Sequence, residues 1–401
     1  MTEFNDISVK YTKSKDTKFL KENGIYFTPK TFRDIAVNSI KPYIKKNCEL
    51  LEPSCGSGEF IRDLLPYKDY FNITGVELDE ELFNISNQLN ATIINDDFLK
   101  PNLFDKKFDI IIGNPPYFEL KKTSKYYNLY RKWFDGRTNI YSLFILRSIE
   151  YLNKDGIIAF IIPPSWQSSK YFELLRNEIQ RQGSIKLLHK LSNGKFMKTS
   201  QEAILFIFQK SCREKNYEFN YKNKLFYNIH NERLKELTEN CSNISDLKGK
   251  VLTGPVVWNQ HKDKLVNENE DGLLLVYTQN IVNNVFVKKH NMSNNKKQYI
   301  KHEKYTSFSK PCLIFNRGFG SKGTKFEFNY IIMDPKNEAF TCENHTNVIY
   351  FPDKTNEEGL SLIHKIVESI KDNRTEEWCE KFLTNGILSK TELENYLPIF
   401  I

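Results

Sequence analysis

No apolar run in this 401-residue chain approaches the roughly 20 residues that a membrane-spanning helix needs. The first stretch, MTEFNDISVKYTKSKDTKF, has no apolar centre and mixes its charges, so it is not expected to be a secretory signal. Paired cysteines are lacking too. The seven cysteines are scattered at positions 48, 55, 212, 241, 312, 342 and 379 with no C-x-x-C, so neither a zinc site nor a redox dithiol is expected. An odd, dispersed set fits reduced thiols in a cytoplasm. The seven histidines show no ligand spacing, and no metal is expected. Internal repeats and long low-complexity tracts are absent as well. What remains is an ordinary soluble globular composition, long enough for two or three domains at roughly 100–200 residues each.

Charge is present in excess of one sign. The formal net charge is +8 and the pI about 8.8, which suits an acidic partner without deciding for one. Its distribution says more. Residues 288–325 hold ten Lys or Arg against one acid, Glu303, whereas the tail beyond Phe326 is rich in Asp and Glu. A second basic stretch, KKTSKYYNLYRKWFDGR (121–137), mixes Lys121, Lys122, Lys125 and Arg131 with Tyr126, Tyr127, Tyr130, Trp133 and Phe134. Cations interleaved with aromatics suit a phosphate backbone and stacked bases. The bland alternative is a solvated helix face whose aromatic stripe docks on the core.

Between about residues 20 and 210, short β-branched runs alternate with amphipathic stretches, the pattern of a parallel sheet with helices on both faces. Strands are expected at 48–53, 72–78, 92–98, 108–114 and 156–163, each nearly continuous in apolar residues as strands buried on both faces are. Two more, 184–191 and 202–210, follow with no convincing helix between them and are expected to pair antiparallel at one edge. Helices are expected over 29–44, with Pro29 near the first turn, and over 168–183, ending on Gly183. After about residue 240 glycine, asparagine and short β-prone runs dominate. Two closing helices follow, over 356–372 and 375–386, and then a capping-box pattern at Ser389 and Glu392.

Chemistry gathers at the ends of the predicted strands. After the first comes EPSCGSGEF (52–60), where Gly56 and Gly58 let backbone approach a ligand closely. A G-x-G alone is weak. Glu77, at the end of the next strand, is placed to accept both hydroxyls of a ribose, and Asp97 with Phe98 at the end of the third to bond and pack on an adenine. The dinucleotide fingerprint would need glycine at position 61, where this chain has Ile61. Adenosine without phosphates therefore fits better, with S-adenosylmethionine as the obvious ligand. The fourth strand ends on Asn114-Pro115-Pro116-Tyr117. A planar amino group is a poor nucleophile because its lone pair is delocalised. The Asn114 side-chain oxygen and the Pro115 carbonyl, held still by proline, are two acceptors for its two N–H bonds. Tyr117 offers a face to stack on. The tetrapeptide alone leaves adenine, cytosine and glutamine open.

This ordered set resembles the adenine-specific DNA methyltransferases that modify N6, in particular the TaqI-like type of restriction-modification systems. GIYFTPKTFRDIAV resembles their N-terminal cofactor segment, with Thr28 and Pro29 near the methionine end of the ligand. LLEPSCGSGEF resembles the glycine loop, carrying Glu52, Ser54, Cys55, Gly56 and Gly58. GVELD resembles the ribose-binding acid with Leu78 beside it, and NDDF the adenine-binding Asp. GNPPYF resembles the catalytic tetrapeptide and is the most specific match. NIYSLFILRSIEYL resembles the helix that supplies an aromatic beside the cofactor, here Phe144. LSNGKFMKTSQEAILFIFQ resembles the segment with a second stacking aromatic, by position Phe196.

The resemblance implies an α/β fold: a Rossmann-like seven-stranded methyltransferase sheet, mostly parallel with one antiparallel edge strand, followed by a mixed α+β target-recognition domain. It implies a polar arm over 1–20, an S-adenosylmethionine-dependent catalytic domain over 21–243 and a DNA target-recognition domain over 244–401. The partner is double-stranded DNA, with a cognate restriction endonuclease acting on the same site, and the enzyme a monomer. The target adenine is flipped out of the duplex, gripped by Asn114 and Pro115, and sandwiched by Tyr117 and Phe196. In the C-terminal part, Arg317, Lys322 and Lys325 on the glycine-rich FNRGFGSKGTKFEF are expected to grip guanine edges and phosphates. The rival readings are an RNA adenine or protein-glutamine methyltransferase, or a DNA-binding subunit with a dead catalytic half.

Overall fold

The computed structural model describes residues 3–134, 136–192, 196–197, 202–268, 270–289, 292, 296–301, 305–316, 326–335, 339–384 and 386–401. They form two compact units, one of Met1–Phe219 with Lys224–Asn231 and one of Asn220–Asn223 with Glu232–Ile401. No helix of the described residues is long and apolar enough to cross a membrane.

The first unit is built on seven strands: β1 (Cys48–Glu52), β2 (Phe71–Glu77), β3 (Thr92–Asn95), β4 (Phe108–Gly113), β5 (Leu152–Ile162), β6 (Gly183–Lys190) and β7 (Ile204–Lys210). Around them lie α1 (Asp6–Ser14), α2 (Thr17–Asn23), α3 (Lys30–Ile40), α4 (Glu59–Leu64), α5 (Glu80–Ser86), α6 (Lys125–Leu129), α7 (Ile140–Tyr151) and α8 (Glu173–Gln182). Side chains alternate across a strand, so an unbroken apolar run must bury two faces. Leu50, Ile110, Ile112, Ile157, Ala159 and Ile161 pack with Phe32, Ala36 and Ile40 of α3 and Phe60, Ile61 and Leu64 of α4. The alternate set, Leu51, Ile111, Ile158, Phe160 and Ile162, packs with Leu143, Ile145 and Ile149 of α7 and Leu175 and Ile179 of α8. Each fully buried Leu, Ile or Phe contributes about 1.5–3 kcal/mol, which is what holds the strands in register.

The strand order is β3-β2-β1-β4-β5-β7-β6. The first five strands are parallel, and β7 runs antiparallel to both β5 and β6. This corrects one detail of the expectation, since the reversed strand is not outermost. A connection without a helix requires β6 and β7 to pair antiparallel but leaves open which of them meets β5. The order reverses between β1 and β4, and a ligand crevice forms beyond the carboxyl ends of strands at such a point. Glu52, Glu77 and Asn114 all stand at those ends.

Local signals account for the helix starts and stops. Asn5 and Asp16 cap α1 and α2 through their side chains, so residues 1–20, expected as a polar arm, contain helix. Tyr11 and Leu20 bury against Phe27 and Leu82. Pro29 stands one residue ahead of α3 as its cap, and α3 tightens into a 3-10 turn at Lys41–Tyr43, where Pro42 cannot donate. α8 begins at Glu173 after a separate 3-10 turn over Lys170–Phe172.

The second unit holds two four-stranded sheets. One is antiparallel, in the order Lys250–Thr253, Thr346–Tyr350, Cys312–Asn316, Tyr330–Met333. The other runs Leu265–Val266, Tyr299–Ile300, Leu273–Val276, Phe340–Cys342. Helices Asn356–Ile370, Asn373–Phe382 and Lys390–Asn395 follow. Thr355 with Glu358, and Ser389 with Glu392, form reciprocal capping boxes. The middle helix ends at Phe382, short of Gly386, because Leu383 is already extended.

Candidate active site

The turn after β1 shows why glycine is needed there. Gly56 and Gly58 have φ of 55° and 80°, in the left-handed region that side chains with a β-carbon avoid. The turn delivers the Gly56 N–H to Oε2 of Glu77 at 2.7 Å, and the Asp79 N–H reaches Oε1 at 2.8 Å. Glu77 is buried, and that burial raises its carboxyl to about 6, the two N–H donors opposing the shift. Each oxygen, holding one backbone donor, keeps lone-pair capacity for a second.

Asp97 is more heavily engaged. Its Oδ1 accepts from the Leu99 N–H at 3.0 Å, and its Oδ2 accepts from the Tyr126 hydroxyl at 2.7 Å and the Lys125 ammonium at 2.8 Å. Phe98 lies beside it, its ring 5.2 Å from that of Phe144. Glu52 is buried, and its Oε2 has no hydrogen-bond partner among the described residues. Burial first, then the nearby charge of Glu77, holds its carboxyl well above the usual range, with Arg33 acting against them. A cationic or donor group of a ligand would satisfy such an atom.

At the end of β4, the Asn114 amide nitrogen donates to the Tyr26 carbonyl at 2.9 Å. That bond fixes the amide orientation and leaves Oδ1 as the acceptor. The Tyr117 hydroxyl occupies it, and also lies within hydrogen-bond reach of the Ile161 carbonyl. Desolvation holds the Tyr117 phenol well above its ordinary range, so it is a donor. Phe196 is buried, and its ring meets that of Tyr117 edge-on, 6.4 Å between centroids and 88° between planes. The expected sandwich, two parallel rings with a gap for a base, is therefore not the arrangement found; Phe196 packs edge-on against Phe32 as well.

Most of these groups surround one cavity of about 590 Å³, within the usual size of cofactor sites. Thr28, Glu52, Ser54, Cys55, Gly56, Glu77, Leu78, Asp97, Phe98, Asn114, Pro116 and Phe144 line it. Pro29, Gly58, Pro115, Tyr117 and Phe196 are not among its lining: Pro29 caps α3, the β-carbon position of Gly58 faces Leu89, and the ring of Phe196 packs on Phe32 and Tyr117. Lining residues that the sequence did not single out for the cofactor include Tyr26, Phe27, Phe118 and Tyr126. Beside the cavity sits a buried ionic cluster that the sequence also hid. Arg33 bonds the Thr28 carbonyl and pairs with Glu59 at 2.7 Å and Asp63 at 2.6 Å. Glu59 in turn accepts from Ser8 of α1, whose hydroxyl also meets Ser57 at 2.7 Å.

The basic-aromatic stretch divides. Lys121 and Lys122 are exposed, whereas Tyr130 and Phe134 are buried and Tyr126, Tyr127 and Trp133 pack half-buried on the core. Arg131 lies over the rings of Tyr127 and Phe134 and donates to the Phe134 carbonyl. Its aromatics thus face inward rather than offering stacking platforms. Arg317, Lys322 and Lys325 lie outside the described residues.

Residues 61–197, which span Glu77, Asp97, the Asn-Pro-Pro-Tyr and Phe196, match the Eco57I restriction-modification methylase family. Over these residues the chain carries a restriction-modification methylase domain. It is 28% identical to the type II methyltransferase M.CvrRI of Paramecium bursaria Chlorella virus XZ-6E, over 99% of both chains. With the modification methylase CviBIII of Paramecium bursaria Chlorella virus NC1A it shares 27% identity, again over 99% of each. The crystal structure of the M protein of the type I restriction enzyme EcoKI aligns over 47% of this chain and 44% of its own, at 17% identity and a TM-score of 0.37. The family match begins at Ile61, so the glycine loop, Arg33 and the N-terminal helices lie ahead of it.

Proposed function

We propose that this protein is a TaqI-like enzyme that moves the methyl group of S-adenosylmethionine to N6 of an adenine flipped out of duplex DNA. The observation that carries the reading is the fixed amide of Asn114, held by the Tyr26 carbonyl so that Oδ1 is the acceptor at the cavity edge. The sulfonium supplies an activated methyl group. The chain's own part is to bind and to orient. Glu77 takes the ribose hydroxyls, Asp97 the adenine amino group, and Phe98 and Phe144 pack on the ring. Unpartnered Glu52 suits the ammonium of the methionine end. Asn114 and the Pro115 carbonyl draw the two amino hydrogens out of the base plane, which returns the lone pair to nitrogen at little reorganisation cost. Tyr117 and Phe196 flank the base once their rings have separated.

On this reading the first unit is the catalytic domain and the second the target-recognition domain, parting near Asn231 rather than at the expected 243/244 and with residues 1–20 inside the first, and Lys121, Lys122, Arg317, Lys322 and Lys325 lie on phosphates or base edges. In a restriction-modification system the product protects the site from a cognate endonuclease. The test is expression in a host without adenine methylation, with N6-methyladenine mapped at single-base resolution. One short methylated motif, lost with Asn114→Ala, is the expected result. Methylated cytosine, RNA or glutamine instead would overturn the choice of target.

A further inference from the structure

Tyr126 belongs to a stretch whose cations and aromatics point to nucleic acid, yet its ring lines the cofactor cavity and packs on the core, and its hydroxyl is 2.7 Å from Oδ2 of Asp97. A tyrosine 29 positions from the acid it touches forms no local motif. We propose that Tyr126 is a positioning residue for the adenine end of the cofactor: it holds the Asp97 carboxylate in the rotamer that accepts the 6-amino group, and so sets the preference for adenine over a 6-oxo purine. This rests on the reading that the cavity takes an adenosyl group.

The argument is one of donors and lone pairs. An aspartate has two oxygens and a rotatable side chain, and only a fixed carboxylate discriminates an amino group from a carbonyl. The backbone N–H of Leu99 pins Oδ1. Oδ2 has two donors of unequal standing. The Lys125 ammonium sits on a flexible stem whose side chain is 71% exposed, so water and salt compete with it. The Tyr126 hydroxyl is carried by a half-buried ring on two torsions, with little freedom left to lose. Burial and the neighbouring carboxylate both hold its phenol above the ordinary range, so it stays a donor wherever the enzyme works. An incoming amino group therefore displaces Lys125 and leaves Tyr126 in place. A 6-oxo purine presents an acceptor to an acceptor, and with Asp97 unable to turn away the repulsion is felt in full.

The test is calorimetric titration of the full chain with S-adenosylhomocysteine and with its deaminated analogue, in which inosine replaces adenosine. Wild-type enzyme is expected to prefer the adenosyl ligand strongly. In Tyr126→Phe, which keeps the ring, that preference should fall by about tenfold or more through weaker adenosyl binding, a charge-assisted hydrogen bond being lost. Lys125→Met should keep the preference, its ammonium being the donor that leaves. An undiminished preference in Tyr126→Phe, or equal weakening of both ligands, would overturn the proposal, the second result marking a packing role only. Binding of neither ligand by wild-type enzyme would instead overturn the cofactor reading on which it rests.

Discussion

The hydroxyl of Tyr117 donates to Oδ1 of Asn114, the acceptor that the proposed chemistry asks to take a hydrogen from the target amino group. Ring and amide are thus engaged with each other, and a target nucleotide must separate them. Three variants resolve the roles. Asn114→Ala should lower single-turnover methyl transfer by roughly 10²–10³-fold, the usual cost of one preorganised partner, with DNA affinity largely kept. Tyr117→Phe, which keeps the stacking face, should stay within about threefold of wild type. Tyr117→Ala should lose about tenfold or more with the face itself. Wild-type turnover in Asn114→Ala would refute the mechanism.

Cofactor binding should weaken in acid. The carboxyl of Glu77 titrates at about 6 in the free enzyme. Two ribose hydroxyls donating to it favour the charged form, so the bound state has the lower value and binding below pH 6 expels a proton. Affinity for S-adenosylhomocysteine should be level above pH 7 and fall by up to about tenfold per unit below pH 6. Glu77→Gln should bind more weakly and lose most of that slope. An equally steep slope in Glu77→Gln would assign the titration to another group.

Arg33 is the cation of a buried cluster, its side chain 5% exposed and its partner Glu59 7%. Replacing it by Met leaves Glu59 a buried charge without its cation, while half-buried Asp63 keeps Lys30 at 3.6 Å, at an expected cost of about 3–5 kcal/mol in urea unfolding of the intact protein. Arg33→Lys should recover little, because one ammonium cannot meet the Thr28 carbonyl and both carboxylates in the geometry of a planar fork. A loss under about 1 kcal/mol would mean that the two acids are protonated or solvated when Arg33 is gone.

Binding to DNA should release fewer counterions when surface cations are removed. Lys121→Gln with Lys122→Gln should flatten the slope of log K against log salt by nearly one unit for each phosphate left without its cation. The same comparison for Lys322→Gln with Lys325→Gln tests the glycine-rich segment. A pair that leaves the slope unchanged lies off the interface.

Much of the first unit is legible in the sequence. The strands are marked by apolar runs that only a doubly covered sheet can bury, and the acids by their place at strand ends, where topology collects them. What could not be read depends on distance along the chain. Asp97 and Tyr126 are 29 positions apart, Asn114 and Tyr26 88, and no spacing rule joins them. Aromatics alone cannot say which way they face: Tyr130 is buried with its hydroxyl on the Leu99 carbonyl, although its neighbours Arg131 and Lys132 suggest a surface. The N-terminal helices escape notice because their composition is polar, although Asn5 and Asp16 carry the capping signal. In the second unit the sequence shows one capping box, at Ser389 and Glu392, and β-prone runs, but sheets assembled from strands as short as Leu265–Val266 leave no periodicity to read.

The reversed strand β7 has a consequence beyond the sheet. A parallel successor to β6 would need a return path to the opposite edge, whereas β6 and β7 form a hairpin whose open end is closed by the Leu191 N–H on the Ala203 carbonyl at 3.1 Å. The connection bearing Phe196 thus leaves from and returns to the edge where Asn114 stands. Because closing a longer loop costs only about 0.6 kcal/mol per doubling of its length, this hairpin can gain or lose residues without disturbing a strand. It is a graft point for length alone, because Phe196 within it is packed on Phe32 and belongs to the core of the first unit.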